Sequence, residues 1–272
     1  MDLLKRELAP VPSEAWEQID EEARRVLKLH LAGRKVVDFS GPHGWKYGAV
    51  NTGRLTHSKT SEVKDVSYAT REVRRLVELR TPFTMAIADL DDAARGAGDI
   101  ETAAVIAAAE RIARAEDSAI FHGHREAGIR GIIEASPHAP IDVKSAVAWP
   151  EAVTHAKEVL RLSGVDGPYA LALGAQAYDD ISAQAEDGYP IRKRIAEGLI
   201  EGPIVWAPAI QGGAVLLSTR GGDYELTVGQ DMSIGYFSHD REKVELFLTE
   251  SFTFRVLEER PAVFLRRKYG QG

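Results

Sequence analysis

The sequence predicts an α+β fold from which a long strand-forming arm projects. Apolar residues recur at helical spacing in residues 13–31 and 101–122, whereas residues 34–51 and 66–79 alternate with a period of two. These two strand segments also alternate apolar residues with charged ones, which leaves them little apolar surface to bury. Because an isolated two-stranded hairpin is marginal in water, we expect a neighbouring subunit to cover the arm.

Composition narrows the class of protein. The chain has 272 residues, of which 44% are apolar and 28% charged, and this is ordinary globular usage. It contains no cysteine, which excludes disulfides and thiolate chemistry, and its formal charge of −7 counts against a nucleic-acid partner. No apolar run reaches the roughly 18 residues of a membrane-spanning helix, and no secretory signal opens the chain. We therefore expect a cytoplasmic protein without a membrane partner.

The first element is an amphipathic helix. Ser13 is a candidate N-cap, acidic residues occupy the first turn, and Gly33 marks the predicted end. The residues of its apolar stripe are Trp16, Ile19, Ala23, Val26, Leu27, His30 and Leu31. This stripe fits a helix that packs only on its own core, and it fits equally a helix that also offers a groove to a partner.

Strands and a break follow the first helix. A turn at Gly41-Pro42 interrupts the first strand segment, and the polar residues 56–65 separate the two arms of the predicted hairpin. Pro82 and residues 89–98 predict a break. An alanine-rich helix from about residue 101 to residue 122 comes next, and it is the longest helix that the pattern predicts.

The second half mixes short helices and strands. Pro137 and Pro140 mark a predicted boundary. Beyond it the patterns predict helices over 150–163, 175–185 and after Pro190, and strands over 169–173, 204–206, 214–218, 224–228 and 244–254.

Motifs for catalysis are absent from the sequence. No phosphate loop, dinucleotide fingerprint, zinc-protease helix, nucleophile elbow or calcium loop occurs. His122 and His124 could ligate a metal only with a third ligand that the sequence does not supply nearby. The acids of residues 89–92 are typical of helix termini as well as of acid–base sites, and Glu116 and Asp117 favour pairing with arginine over catalysis. We predict no catalytic residue and no metal site.

A series of short, distinct sequence blocks extends from the amino terminus almost to the end of the chain. They are LAP at 8–10, GRKVVD at 33–38, ELR at 78–80, ED at 116–117, GVDGPY at 164–169, GYP at 188–190, RGGD at 220–223, GQD at 229–231, SIGY at 233–236 and TESFTF at 249–254. Their order and spacing resemble those of encapsulins, the family once described as linocin-type bacteriocins.

The resemblance implies the major capsid fold of tailed phages, the Hong Kong ninety-seven type, with a peripheral domain, an axial domain and an extended loop. The implied segments are an amino-terminal helix with the first part of the peripheral domain at 1–48, the extended loop at 49–81, the peripheral domain with its spine helix at 82–140, the axial domain at 141–222, the peripheral return at 223–265 and an exterior tail at 266–272.

The implied function is structural. Chains of this family assemble into an icosahedral nanocompartment, here of about 60 copies if the smallest closed shell forms. The shell encloses a cargo enzyme, a ferritin-like iron oxidase or a dye-decolourising peroxidase with roles in iron storage or oxidative stress, through the targeting peptide of that enzyme. No motif requires a cofactor, and flavin on the shell has no support in the sequence. The alternatives are a phage major capsid protein and, less favoured, a protease-type enzyme.

The resemblance also implies two sites. The cargo-peptide groove would combine Leu27, Leu31, Arg34, Asp38, Asp231 and Ile234. Its apolar members would receive the peptide and its charged members would orient it, although the same residues could be ordinary core and ion-pair residues. A pore at the five-fold axis would be lined by Glu186, Asp187, Gly188 and Tyr189.

Overall fold

The structure is a computed structural model of the chain, and it describes residues 3–59, 63–186 and 188–270. The α-helices are α1 (Ser13–His30), α2 (Ile87–Ala94), α3 (Ala103–Phe121), α4 (Ile132–Ala135), α5 (Trp149–Leu162), α6 (Ala175–Ala183) and α7 (Ile191–Gly198). Four short 3₁₀ turns cover Arg6–Leu8, Gly33–Lys35, Arg125–Ala127 and Ala146–Ala148 in the described ranges.

Strands occur at each strand position predicted for the second half of the chain, whereas the predicted strand segment 34–51 is extended only at 38–40 and from 49 onward. The strands are β1 (Asp38–Ser40), β2 (Ala49–His57), β3 (Ala69–Arg75), β4 (Val77–Ala86), β5 (Gly123–His124), β6 (Ile129–Arg130), β7 (Ile141–Val143), β8 (Tyr169–Leu173), β9 (Ala185–Glu186), β10 (Tyr189–Pro190), β11 (Ile204–Trp206), β12 (Gly213–Ser218), β13 (Tyr224–Val228), β14 (Ser233–His239), β15 (Lys243–Val256) and β16 (Ala262–Arg267). The predicted α+β class is confirmed.

Two five-stranded sheets organise the chain. In the first sheet the order is β1-β13-β15-β14, and β4 pairs along the opposite edge of β15. The second sheet has the order β11-β8-β12-β16-β7. Strand β8 is buried along its whole length because it is a central strand covered on both faces, which explains its unbroken apolar sequence.

Three apolar clusters hold these layers together. One packs α1, α2 and α3 against the first sheet, and another packs α5, α6 and α7 against the second. The third contains side chains of both sheets and of the end of α3, among them Phe121, Phe252 and Leu217. Because this third cluster is shared, burial of apolar surface couples the two sheets.

The hairpin β2–β3 stands apart from both sheets. The two strands pair only with each other in the described part of the chain, and every residue of β3 is exposed. Leu55 and Val73 are about half exposed, at 52% and 49%. The predicted second arm of the hairpin, residues 66–79, is therefore divided between two sheets. Residues 69–75 pair with β2, whereas from Val77 onward the chain pairs with β15 in the first sheet.

Two sequence predictions around the first helix are wrong in detail. Ser13 is the first helical residue, and the N-cap position belongs to Pro12, with its extended backbone. The Ser13 hydroxyl donates to the Glu14 carboxylate (3.0 Å) and does not cap the helix. The helix ends at His30, three residues before the predicted stop at Gly33.

The predicted break at Pro82 is also wrong. Pro82 lies inside β4, opposite Phe247 of β15. A proline is tolerated there because β4 pairs on one side only in the described sheet, so the missing N–H removes no ladder hydrogen bond. The acids of residues 89–92 likewise lie within α2, where Asp89 occupies the first turn near the positive end of the helix dipole.

The expectation that residues 266–272 form an exterior tail is wrong for Arg266 and Arg267. Arg266 and Arg267 lie in β16, which pairs with both β12 and β7. Their charges are neutralised within the fold, by Asp142 for Arg266 (2.7 Å) and by Asp180 for Arg267 (2.7 Å). Residues 271–272 lie outside the described residues.

Candidate functional site

A groove of about 530 Å³ lies between α1 and the start of β14, and we call it the α1–β14 groove. Helix α1 contributes Asp20, Ala23, Arg24, Leu27 and Lys28, and Leu31, the residue directly after the helix, also lines the groove. The facing side consists of Arg34, Asp231, Met232, Ser233, Ile234 and Leu248, and Leu4 and Arg6 also line the groove. The structure thus brings five of the six predicted residues together in one cavity.

The floor of the groove is apolar. Leu27 and Leu31 are one helical turn apart, so their side chains share one face of α1, and each is less than 10% exposed, at 9% and 8%. Ile234 is buried across from them and pairs with Leu248 of β15. Such a surface can hold aliphatic side chains of a bound segment.

Arg34 forms the charged end of the groove. Its guanidinium donates to Glu116 of α3 (2.7 Å), to Asp231 (2.8 Å) and to Glu250 of β15. Glu116 and Glu250 are fully buried, whereas the Asp231 side chain is 39% exposed. Burial opposes the charge of Arg34, but the three carboxylates outweigh it and hold the pKa of the guanidinium above its ordinary value.

Burial of two acids beside one arginine changes the pKa of Glu250. Burial, and then the neighbouring Glu116 carboxylate, raise the pKa of Glu250 well above its ordinary value. Its Oε2 atom has no hydrogen-bond partner in the described part of the chain. One guanidinium is shared between two fully buried carboxyl groups, so it does not fully offset the cost of burying the second negative charge.

Asp117 fixes the turn that carries Arg34. Its two carboxylate oxygens accept hydrogen bonds from the backbone N–H groups of Ala32 and Gly33, both at 2.8 Å. Gly33 packs closely there, because a Cβ atom would come within 2.5 Å of the end of the Ile120 side chain, which would have to move. The predicted pairing with arginine is confirmed for Glu116, whereas Asp117 binds backbone amides.

Asp38 lies outside the groove. Its carboxylate accepts a hydrogen bond from the Gly222 N–H (2.6 Å), and it lines a different cavity with residues 218–224. This contact joins β1 to the turn before β13. The structure therefore separates Asp38 from the other predicted groove residues.

Sequence reasoning missed several groove residues. Glu250, which binds Arg34, had a detectable signal, since it is an acid whose neighbours on the same face of a buried strand, Leu248 and Phe252, are apolar. Arg24 and Lys28 also had a detectable signal, because they are four residues apart on α1, the same spacing that relates Leu27 to Leu31. Leu4 and Arg6 had no such signal, as they reach the groove only through the fold of the first residues.

The described residues of the predicted pore segment lie between α6 and α7. Glu186 lies in β9 and Tyr189 in β10, whereas Asp187 lies outside the described residues. Gly188 has φ +80°, a backbone conformation that favours glycine. The Tyr189 hydroxyl donates to Glu197 (2.8 Å), and this hydrogen bond raises the pKa of Tyr189.

The described residues contain neither a metal-binding cluster nor a membrane-spanning helix. Among residues 3–59, 63–186 and 188–270, no three His, Cys, Asp or Glu side chains are grouped so that they could hold a metal ion. His122 contacts the carbonyl oxygen of Ala209 (3.2 Å) through its Nε2 atom. Within the same ranges, each helix is too short or too polar to cross a membrane.

Comparisons with known proteins identify the family. The family model Linocin_M18, described as "Encapsulating protein for peroxidase", matches residues 1–253. The chain is 48% identical to the type 1 encapsulin shell protein of Brevibacterium linens, over 97% of this chain and 98% of that protein. It is 44% identical to the type 1 encapsulin shell protein of Mycobacterium tuberculosis, over 93% of this chain and 95% of that protein.

Solved structures show the fold. A virus-like particle from Pyrococcus furiosus has a TM-score of 0.64 at 14% identity, covering 92% of this chain and 99% of that one. A chain from Mycobacterium phage Bobi has a TM-score of 0.58 at 16% identity, covering 89% and 91%. The tailed-phage capsid fold is therefore confirmed. The chain belongs to the encapsulin shell protein family, and its role there is structural and not enzymatic.

Proposed function

We propose that this shell protein assembles in the cytoplasm into an icosahedral compartment of about 60 copies, and that a targeting peptide of its cargo enzyme binds the α1–β14 groove. The observation that carries this proposal is the joint occurrence in one cavity of a buried apolar floor and a charged end. Such a combination of apolar surface with a few placed polar groups is typical of sites that bind a ligand in one orientation.

Each groove residue has a part in this binding. Leu27, Leu31 and Ile234 receive the aliphatic side chains of the peptide, since burial of apolar surface supplies the binding energy. Arg34 and Asp231 orient the peptide through hydrogen bonds. Asp38 has no part in this proposal, because it lines another cavity.

The proposed cargo is a dye-decolourising peroxidase or a ferritin-like iron oxidase. The description of the matching family model names a peroxidase, which supports the first class. The shell itself is proposed to need no cofactor, because its role is containment and the chemistry belongs to the cargo.

The substitution Ile234→Asp tests the groove. A carboxylate on the apolar floor would be buried against the peptide at a cost of several kcal/mol, so we expect intact shells that contain no co-expressed cargo. Native gels and electron microscopy report assembly, and protein content of purified shells reports loading. Leu29→Asp is the control, because Leu29 is an exposed residue of α1 that does not line the groove. Full loading of Ile234→Asp shells would reject the proposal.

We further propose that residues 186–189 line a pore at the five-fold axis. Acidic side chains repeated around a ring attract cations, so Asp187→Lys is expected to slow the entry of ferrous iron into shells loaded with an iron oxidase. Stopped-flow oxidation of added iron measures this entry. Asp179→Lys, an exposed site on α6, is the control. Unchanged uptake in Asp187→Lys would place the pore elsewhere.

A further inference from the structure

The α1 side of the groove carries two cations without partners. Arg24 and Lys28 are exposed, lie one turn apart on α1 and both line the groove. Neither side chain forms an ion pair or a hydrogen bond with another residue in the described ranges. The other groove cations are engaged, because Arg6 pairs with Asp20 (2.7 Å) and Arg34 pairs with Glu116 (2.7 Å).

These two cations lie between charge-balanced ends. Asp20, the partner of Arg6, lies one turn before Arg24 on α1, and Arg34 with its carboxylate partners follows the end of the helix. Arg24 and Lys28 therefore place unpaired positive charge beside the apolar floor in the middle of the groove. The chain as a whole has a formal charge of −7. This charge pattern is complementary to an apolar segment that carries a carboxylate.

The opposite side of the groove offers a strand edge. The Tyr236 N–H donates to the Leu4 carbonyl oxygen (2.7 Å), so this edge of β14 already binds main chain, in the bend that precedes the 3₁₀ turn Arg6–Leu8. Backbone groups alternate along a strand, which places the N–H and C=O of Ile234 on the same edge as those of Tyr236. In the described sheet β14 pairs only with β15, so the main-chain groups of Ile234 on this edge have no strand partner.

The amino-terminal residues show how such a segment is held. Leu4 lines the groove while its carbonyl oxygen accepts the strand-edge hydrogen bond. Two residues later, Arg6 forms two hydrogen bonds to Asp20 and stacks on Trp16, with 3.8 Å between the guanidinium carbon and the ring centre. A leucine in the groove and an ion pair to α1 are thus already combined in this chain.

We propose that the α1–β14 groove selects an extended segment that adds to the edge of β14, places aliphatic side chains on the floor and presents a carboxylate to Arg24 and Lys28. This inference rests on the proposed function of the groove and specifies the chemistry of its partner. Arg24 and Lys28 are then specificity-determining residues, whereas Leu27, Leu31 and Ile234 supply affinity.

The test uses three fluorescent-protein probes co-expressed with the shell. Each probe ends in the same short segment of alternating leucine or isoleucine, with aspartate, asparagine or lysine at one central position. Wild-type shells are expected to load the aspartate probe about fivefold better than the lysine probe, the size of one or two exposed ion pairs. The asparagine probe should lie between them, and added salt should reduce the difference.

Shells with Arg24→Glu and Lys28→Glu should invert this order and load the lysine probe best. Arg114→Glu is the matched control, because Arg114 is an exposed arginine of α3 outside the groove. Electron microscopy verifies that each variant forms shells, and if the double glutamate variant does not, Arg24→Gln with Lys28→Gln should abolish the order without inverting it.

Two failures are distinguishable. Equal loading of all three probes in wild-type shells, or an unchanged order in the double variant, would overturn the charge selection and leave the groove itself in place. Loading of none of the probes into wild-type shells would overturn the proposed function of the groove together with this inference.

Discussion

At the scale of single residues, the Arg34 cluster is the costliest feature of the groove. Glu116 and Glu250 are fully buried on different elements, and one guanidinium serves both. Removing one partner of a buried ion pair leaves an uncompensated charge, at a typical cost of about 3 to 5 kcal/mol. The cluster therefore fixes the position of Arg34 firmly, and it makes the stability of the subunit depend on pH.

The substitution Glu250→Gln should flatten this pH dependence. Because the pKa of Glu250 is raised in the fold, the folded subunit keeps a proton that the unfolded chain releases near the ordinary value of 4.5. The stabilising contribution is thus complete below that value and is lost as pH rises through the folded-state pKa. As pH rises from the ordinary value of 4.5 toward the folded-state pKa, wild-type stability should fall more steeply than that of Glu250→Gln, by up to about 1.4 kcal/mol per pH unit.

Thermal unfolding of shells at a series of pH values measures this difference. Asp117, whose pKa burial raises to about 7, contributes to both proteins and cancels in the comparison. Glu245→Gln, an exposed site on the same strand, is the control and should keep the wild-type slope. Parallel curves for wild type and Glu250→Gln would show that Glu250 is ionised throughout.

At the scale of elements, the sequence predicts best where local pattern and burial agree. Strand β8 and helix α5 were predicted within a residue or two, because an unbroken apolar run and an amphipathic stripe are bounded by Pro150, Gly164 and the Gly167-Pro168 turn. Strand β14 was not predicted, since Gly235 interrupts its pattern. That glycine is required by the fold, because a Cβ atom would lie 2.3 Å from the Phe247 ring.

The groove residues likewise divide into those that local sequence pattern predicts and those that it does not. Helical spacing groups Leu27 with Leu31 from the sequence alone. Arg34 and Asp231 are 197 residues apart, so spacing cannot bring them together, and only the family resemblance did. The resemblance also named Asp38, which the fold uses to hold a turn at Gly222. Long-range pairs of this kind are set by sheet topology, which local periodicity does not encode.

Strand β16 yields a prediction at this scale. It lies between β12 and β7, and its side chains Val263 and Leu265 are fully buried. Removing them costs about 1.5 to 3 kcal/mol each, apart from the lost ladder hydrogen bonds on two sides. Truncation after Pro261 should therefore give an unfolded or aggregated chain with no shells.

Truncation after Gly270 is the matched control, since it keeps the whole of β16, and it should assemble normally. Circular dichroism, limited proteolysis and electron microscopy compare the two. Normal shells from the chain that ends at Pro261 would contradict the central position of β16.

At the scale of the whole molecule, folding and assembly use different surfaces. The three apolar clusters lie within the two sheets and their helices. From the hairpin β2–β3, only Val50 joins the buried apolar residues, while Leu55 and Val73 stay exposed. The subunit can thus fold without its hairpin, whereas a closed shell needs contacts that the isolated subunit leaves unmade.

Replacing residues 51–74 by a short Gly-Ser turn should separate the two processes. The subunit should remain folded, because shortening a loop changes the closure entropy by only about 0.6 kcal/mol per halving of its length. It should stay monomeric, because the exposed hairpin is the element we expect a neighbouring subunit to cover.

Leu55→Ser with Val73→Ser keeps the strands and is expected to weaken assembly to an intermediate degree. Size-exclusion chromatography with electron microscopy measures assembly, and circular dichroism measures folding. Complete shells from the chain without its hairpin would show that other surfaces close the compartment, and an unfolded chain would show that the hairpin belongs to the folding unit.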